Sequence, residues 1–235
     1  MASELLRLLE VMDRLRSPGG CPWDAEQTHQ SLIKYLLEES YEFVDAVDAD
    51  DRSAMREELG DVLLQVYFHS RIAQDHPSDP FSIEDVAAGI ADKLIRRHPH
   101  VFGDVQAETS DEVLQNWEKL KAAEKNRSSA TDGVALAQPA LPLITKLIYR
   151  AEKNGIHLDL PTADMNNEVP AEVAIGDALV AAVVAAIKQG IEPEDLLRTR
   201  AREIAEEIKR IRSEEHTSEL QSHLNLVCRL LLEKK

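Results

Sequence analysis

The chain has 235 residues, of which 43% are hydrophobic and only 4% aromatic. This length allows one or two domains with a buried core, and the many alanines and leucines favour helices. The formal net charge of -16 argues against direct nucleic-acid binding. Because the sequence contains no long apolar run, no secretory signal and only two cysteines, we expect a cytoplasmic protein that does not enter a membrane.

The first predicted element is an amphipathic helix over residues 4–16, which ends at Ser17-Pro18-Gly19-Gly20. The next residues, Cys21-Pro22-Trp23-Asp24, are predicted to form a structural loop, since no second cysteine lies nearby to support thiol chemistry. Thr28 is a suitable N-cap for a second helix. Glu26-Gln-Thr-His29 has the Glu-x-x-His form of a di-iron site, but such sites need two of these motifs on helices.

Two amphipathic helical segments follow between Leu36 and Phe68, and the polar turn Asp48–Ser53 joins them. Residues three or four apart share one face of a helix, and a short connection makes the two helices antiparallel neighbours. Each segment therefore presents a cluster of carboxylates to its neighbour. The clusters are Glu38, Glu39 and Glu42 on the first segment, and Glu58 and Asp61 on the second.

The angular positions of these acids distinguish them from an ordinary solvated face. Glu39 lies within the apolar stripe of the first helix, Glu42 lies at its edge, and Glu58 and Asp61 lie between two apolar faces of the second. Unpaired charge at a packed interface is costly, and like charges at these spacings repel. A divalent cation relieves both problems, and a donor set made only of oxygen favours Mg²⁺ or Mn²⁺ over zinc.

A third core helix is predicted to begin after the N-cap Ser82 and to end in the basic run Lys93-Leu-Ile-Arg96-Arg97-His98-Pro99-His100. Basic residues at a helix C-terminus often only complement the helix dipole. Beside an acidic metal site they would also clamp phosphates. Thr109-x-x-Glu112 is a capping box for a further helix that carries Trp117, which is a core residue by default or a residue that stacks on a base.

Residues 126–139 are polar, contain glycine and proline, and are predicted to be a linker. Residues 140–211 resemble the first half, because Gly60-Asp61 and the apolar run after it have a counterpart at Gly176-Asp177. Ala174 stands in the position of Glu58, and no Glu-Glu-x-x-Glu triplet precedes it. We therefore expect a degenerate second copy without the carboxylate cluster; the alternative is chance similarity between alanine-rich helices.

Residues 212–235 do not continue this pattern. The string RSEEHTSELQSH at Arg212–His223 is the in-frame translation of a common sequencing-library adapter, and the apolar period through Ile204, Ile208 and Ile211 stops before it. We therefore expect residues 212–235 to be adapter read-through and not native sequence. A contiguous genomic read that recovers codons for this string would exclude that origin.

Together the motifs resemble those of the MazG-type nucleoside triphosphate pyrophosphohydrolases, strongly over residues 4–125 and weakly over 140–211. The shared motifs are Glu38-Glu39-x-x-Glu42, Glu58-x-x-Asp61, Gly20-Cys-Pro-Trp-Asp24, Gln27-Thr28 and Lys93-x-x-Arg96-Arg97-His98-Pro-His-Val-Phe102. The resemblance implies an all-α MazG-like helical bundle, duplicated with a degenerate second copy. It also implies a homodimer that hydrolyses nucleoside triphosphates to monophosphate and pyrophosphate with Mg²⁺. One departure is Tyr35, where active copies can carry lysine; Lys34 is next to it.

The resemblance assigns roles only within the first copy. The residues that match metal ligands are Glu39, Glu42, Glu58 and Asp61, and those that match substrate contacts are Lys93, Arg96, Arg97 and Trp117. Glu38 or another carboxylate of the cluster, Glu39 or Glu42, would accept the proton of the attacking water. The alternatives are a narrower dUTP- or phosphoribosyl-ATP-type pyrophosphohydrolase and a non-catalytic helical interaction module.

Overall fold

The structure is a computed structural model. It describes residues 3–105, 109, 110, 112, 113, 116, 117, 129–161 and 169–232, with side chains described as far as residue 212. Within these residues every regular element is a helix, which confirms the all-α prediction. The chain divides into two compact units, Met1–Lys125 and Asn126–Lys235. No helix of the described residues combines the length and the apolar character needed to cross a membrane.

The helices of the first unit are α1 (Glu4–Arg16), α2 (Pro22–Glu26), α3 (His29–Asp48), α4 (Arg52–Gln74), α5 (Ile83–Arg97) and α6 (Pro99–Phe102). Those of the second unit are α7 (Ala140–Lys153), α8 (Ala171–Lys188) and α9 (Pro193–Leu232).

The antiparallel pair α3 and α4 forms the centre of the first unit, and α1 packs against α4. Met12 of α1 and Leu32 of α3 are fully buried, and Tyr67 and Phe68 of α4 complete the core between them. The α3–α4 turn is held by Asp51, whose carboxylate accepts hydrogen bonds from the backbone N–H groups at positions 53 and 54. This short turn fixes the register in which the acids of α3 meet those of α4.

Local sequence signals set the helix ends where the sequence predicts them. The Thr28 hydroxyl accepts from the Ser31 N–H at 3.1 Å, and Ser31 returns the contact, so the predicted cap is a complete capping box. Ser82 and Asp85 form a second box at the start of α5. The Glu112 N–H donates to the Thr109 hydroxyl at 3.3 Å, as predicted. The rest of that predicted helix lies partly outside the described residues.

The predicted loop at Cys21-Pro22-Trp23-Asp24 is wrong, because these residues lie in the short helix α2 and at its N-cap. Pro22 occupies the first helical position, where its fixed φ suits a helix and its missing N–H is not needed. The guanidinium of Arg16 then donates to the carbonyl oxygens of Asp24 and Gln27, the latter at 3.2 Å. Arg16 therefore supplies donors to two orphan carbonyls at the end of a helix too short to hold itself.

The prediction that α5 is a core helix is only partly met. Its apolar positions Val86, Ile90, Leu94 and Ile95 remain between 37% and 47% exposed in a single chain. A helix with an uncovered apolar stripe gains little from burial within its own chain.

The buried hydrophobic residues described in the second unit are Ile148 and Ala151 of α7 and Ala181 and Val183 of α8. Gly176 and Asp177 lie on α8, as Gly60 and Asp61 lie on α4. The duplication itself stays a prediction. The backbone of α9 continues as one helix through position 212 to Leu232, and the origin of residues 212–235 likewise stays a prediction.

Candidate active site

Three carboxylates converge where α3 and α4 face each other. One carboxylate oxygen from each of Glu39, Glu58 and Asp61 lies within 4.8 Å of the other two. Glu39 belongs to the face of α3 that also carries the buried Leu32, and all three acids are half-buried. The seam between the helices therefore holds three negative charges at close range.

Glu38 and Glu42 lie at the margin of this cluster and are exposed. The oxygens of Glu42 fall outside the 4.8 Å set, although its carboxylate is close enough to hydrogen-bond with that of Glu58. Of the four predicted metal ligands, the structure thus brings three together directly and places Glu42 beside them.

Burial and mutual repulsion raise the pKa values of two carboxylates in the cluster. Partial burial is the main cause that raises the pKa of Glu39, and four neighbouring carboxylates raise it further, with Asp61 the strongest. The pKa of Glu58 is also raised, first by partial burial and then by repulsion from Glu42 and other acids. Both shifts favour the protonated form, so a cation bound here would compete with protons for the same oxygens.

The donor set fits the divalent cation that the sequence resemblance implies. Among the residues that the structure describes, every candidate ligand atom in the cluster is a carboxylate oxygen, and neither cysteine nor histidine belongs to it. Hard cations such as Mg²⁺ and Mn²⁺ prefer such oxygens, whereas zinc favours nitrogen and sulfur.

The four predicted substrate contacts differ in accessibility. Arg96 is exposed and Lys93 is half-buried, whereas Arg97 is only 6% exposed. The guanidinium carbon of Arg97 lies 5.4 Å from the ring centre of Trp117, a cation–π distance. Arg97 and Trp117 therefore contact each other in this chain, and Lys93 and Arg96 are the more accessible cations at the end of α5.

At the position of Tyr35, where active copies of the family can carry lysine, a neighbouring residue supplies a positive charge. The ammonium of Lys34 lies 4.6 Å from the centre of the Tyr35 ring, so a positive charge stays beside this position. Trp23 packs edge-on against Tyr35 at 6.1 Å and is itself half exposed. Tyr35 is one turn before Glu39 on α3, which places this cation and these two rings next to the acidic cluster along the helix.

A cleft that the sequence analysis did not single out lies beside the same helix pair. It has a volume of about 230 Å³, and its walls include Gln65 and His69 of α4. A signal was present, because Gln65 and His69 continue the Asp61 side of α4 at steps of four residues. Periodicity alone does not tell a polar residue beside a cleft from one in solvent.

Comparisons with known proteins agree on one family. Residues 27–102 match the MazG nucleotide pyrophosphohydrolase domain. A Thermotoga maritima protein named "Nucleoside triphosphate pyrophosphohydrolase/pyrophosphatase MazG" is 37% identical over 219 residues, which cover 87% of this chain and 84% of that protein. A Streptomyces cacaoi protein described as an uncharacterized 26.1 kDa protein is 49% identical over 202 residues, covering 85% of this chain and 78% of that protein.

A Mycobacterium tuberculosis protein named "Nucleoside triphosphate pyrophosphohydrolase" is 46% identical over 182 residues. That match covers 77% of this chain but only 55% of the mycobacterial protein, so the chain spans little more than half of that relative. The three half-buried acids of the cluster, at positions 39, 58 and 61, all lie inside the matched domain. The chain belongs to the MazG family of nucleotide pyrophosphohydrolases, which are hydrolases of phosphoric anhydrides.

Proposed function

We propose that this chain hydrolyses nucleoside triphosphates to the monophosphate and pyrophosphate, with Mg²⁺ as the cofactor and Mn²⁺ as a possible substitute. The observation that carries the proposal is the convergence of Glu39, Glu58 and Asp61 within 4.8 Å. The names of the relatives support the reaction class. The free thiol of Cys21 fits a reducing, cytoplasmic setting.

Glu39, Glu58 and Asp61 would hold the cation, and Glu42 would complete the ligand set from the margin of the cluster. When bound, the cation neutralises phosphate charge and lowers the pKa of a water molecule. Glu38 is exposed beside the cluster and is available to accept a proton from the attacking water, as are Glu39 and Glu42. In this scheme the acids of α3 supply both ligands and base, and those of α4 supply ligands only.

Cations at the end of α5 would stabilise the negative charge that develops on the departing pyrophosphate. Arg96 and Lys93 suit this role, because both offer some exposed surface. Arg97 is buried against Trp117, and we assign it the role of holding the Trp117 ring in place beside the substrate.

Product analysis tests the function directly. The full chain is incubated with Mg²⁺ and, in separate reactions, with each common nucleoside triphosphate, with dUTP and with phosphoribosyl-ATP. From the nucleoside triphosphates we expect monophosphate and pyrophosphate in equal amounts. Ion-exchange chromatography separates pyrophosphate from orthophosphate. Activity confined to dUTP or phosphoribosyl-ATP would indicate the narrower enzyme, and no turnover with any triphosphate would favour a non-catalytic helical module.

We also propose that the chain forms a homodimer through the apolar side of α3 that faces away from the core. Ile33, Leu37 and Val44 lie on this side and are 43%, 51% and 36% exposed. Burial of such a stripe against a second copy is the usual basis of helical-bundle dimers.

If this dimer forms, a charged residue in the apolar side of α3 should lower the mass measured in solution. Light scattering at micromolar concentration should give twice the chain mass for the wild type, and Leu37→Glu should shift the mass to that of one chain. Leu5→Glu is the matched control, because Leu5 is exposed to a similar extent, 54% against 51%, but lies in the first turn of α1. A wild-type protein with the mass of one chain would contradict the proposal.

A further inference from the structure

The cleft beside α3 and α4 is mostly apolar. Leu36 of α3, Val66 of α4 and Val86 of α5 form its walls, together with Phe81 from the segment before α5. Apolar and aromatic walls with a few polar groups are the usual lining of a small-molecule site. The volume of about 230 Å³ is small, and suits one flat ring system more than a whole nucleotide.

The position of the cleft ties it to the acidic cluster. On α3, Leu36 precedes Glu39 by three residues, and on α4, Gln65 follows Asp61 by four. Because the two helices run antiparallel, both steps lead in the same direction, and each is about one helical turn, roughly 5.4 Å. A ligand with its phosphate at the cluster can therefore extend along the seam and place its next group in the cleft.

Two residues that line the cleft each hold a buried polar atom that lacks a hydrogen-bond partner among the described residues. These atoms are Oε1 of Gln65, whose residue is 5% exposed, and Nε2 of His69. A buried polar group without a partner destabilises the fold. A bound ligand that supplies the missing hydrogen-bond partner would remove this cost.

The His69 ring is held from its other edge. Its Nδ1 lies 2.8 Å from Nδ1 of His29, and the two rings stack with centres 5.1 Å apart. Burial lowers the pKa of His69, and the nearby His29 lowers it further. The imidazole is therefore neutral near pH 7, which leaves Nε2 able to donate or accept according to its tautomer.

We propose that this cleft takes the base of the nucleotide substrate and that Gln65 and His69 read the base edge by hydrogen bonding. The proposal rests on the proposed function, because it places the substrate phosphates at the acidic cluster. The terminal torsion of a glutamine is soft, so the Gln65 amide can turn towards a ring seated against Leu36 and Val66. In this proposal the protein distinguishes its substrates by the base, and not by the sugar or the phosphates.

Gln65→Met tests the assignment without a change in side-chain volume. Removal of an unpaired buried oxygen should leave the melting temperature unchanged or higher. The KM for the preferred triphosphate should rise about tenfold, the typical loss for one hydrogen bond in a binding site. The difference in KM between the preferred triphosphate and the others should become smaller. The substitution should change KM much more than kcat. Gln74→Met is the matched control, an exposed glutamine on the same helix beyond the cleft.

A binding measurement separates this proposal from the reaction itself. In EDTA, titration of the wild type with each nucleoside monophosphate should shift the NMR signals of Gln65 and His69, and Gln65→Met should lose those shifts. If no triphosphate is hydrolysed but these shifts occur, the cleft assignment stands and the proposed reaction fails. Unchanged KM and base preference in Gln65→Met, or shifts confined to other residues, would overturn it. A dimer weakened by Gln65→Met, without such shifts, would instead mean that a second copy fills the cleft.

Discussion

Replacing Asp61 with asparagine is expected to lower the rate of pyrophosphate release by roughly 100- to 1000-fold, the loss typical when one charge-stabilising group leaves an active site. Asn keeps the shape of Asp but removes one of the three negative charges that converge between α3 and α4. We expect Glu42→Gln to act in the same direction, since Glu42 lies next to Glu58. Initial rates of pyrophosphate formation at saturating Mg²⁺ measure the loss, and circular dichroism shows whether the helices persist.

Asp177→Asn is the matched control for this experiment. Asp177 follows a glycine on α8 as Asp61 follows one on α4, but it is exposed and Ala174 stands in place of Glu58. The same substitution there should leave the rate within about twofold of the wild type, because no cluster forms around it in the described residues. Near-wild-type turnover in Asp61→Asn would show that the cluster is not the catalytic site.

The parts of this fold that the sequence predicts are those with a local physical cause. The start of α3 follows from Thr28 and that of α5 from Ser82, because a capping box is complete within four residues. The meeting of Glu39 with Glu58 and Asp61 follows from helical period and a short turn. Each of these features depends only on residues within one helix or one helical hairpin.

The parts that the sequence analysis missed depend on contacts between distant segments. The sequence predicts a loop where the structure has helix α2. The donors that satisfy the carbonyls at the end of this helix come from Arg16 on another helix, so the local sequence does not show them. The contact between Arg97 and Trp117 joins segments twenty residues apart, and the substrate role of both residues stays a prediction. The cleft at Gln65 requires α3, α4 and α5 to meet, and helical period within one segment carries no information about such a meeting.

Glu39→Gln is expected to have opposite effects on stability without and with the cation. The pKa of Glu39 is raised in the folded chain by partial burial and by neighbouring carboxylates. The folded state therefore holds this proton more tightly than the unfolded state, so the ionised group destabilises the fold at pH 7, and this loss disappears as the pH falls through the raised pKa. In EDTA at pH 7, Glu39→Gln should therefore melt at a higher temperature than the wild type, with a smaller gain near pH 4.

Excess Mg²⁺ should reverse that order. A ligand at a hundredfold excess over its Kd stabilises the fold by about 2.7 kcal/mol, which corresponds to a rise of several degrees in melting temperature. Glu39→Gln should lose most of this rise, because it removes one of the three convergent ligands. Glu38→Gln is the control, since its exposed carboxylate lies outside the three-residue set. Calorimetry measures the melting temperature of each variant in EDTA and in excess Mg²⁺. An equal rise in melting temperature with Mg²⁺ in the wild type and in Glu39→Gln would mean that the cation binds elsewhere.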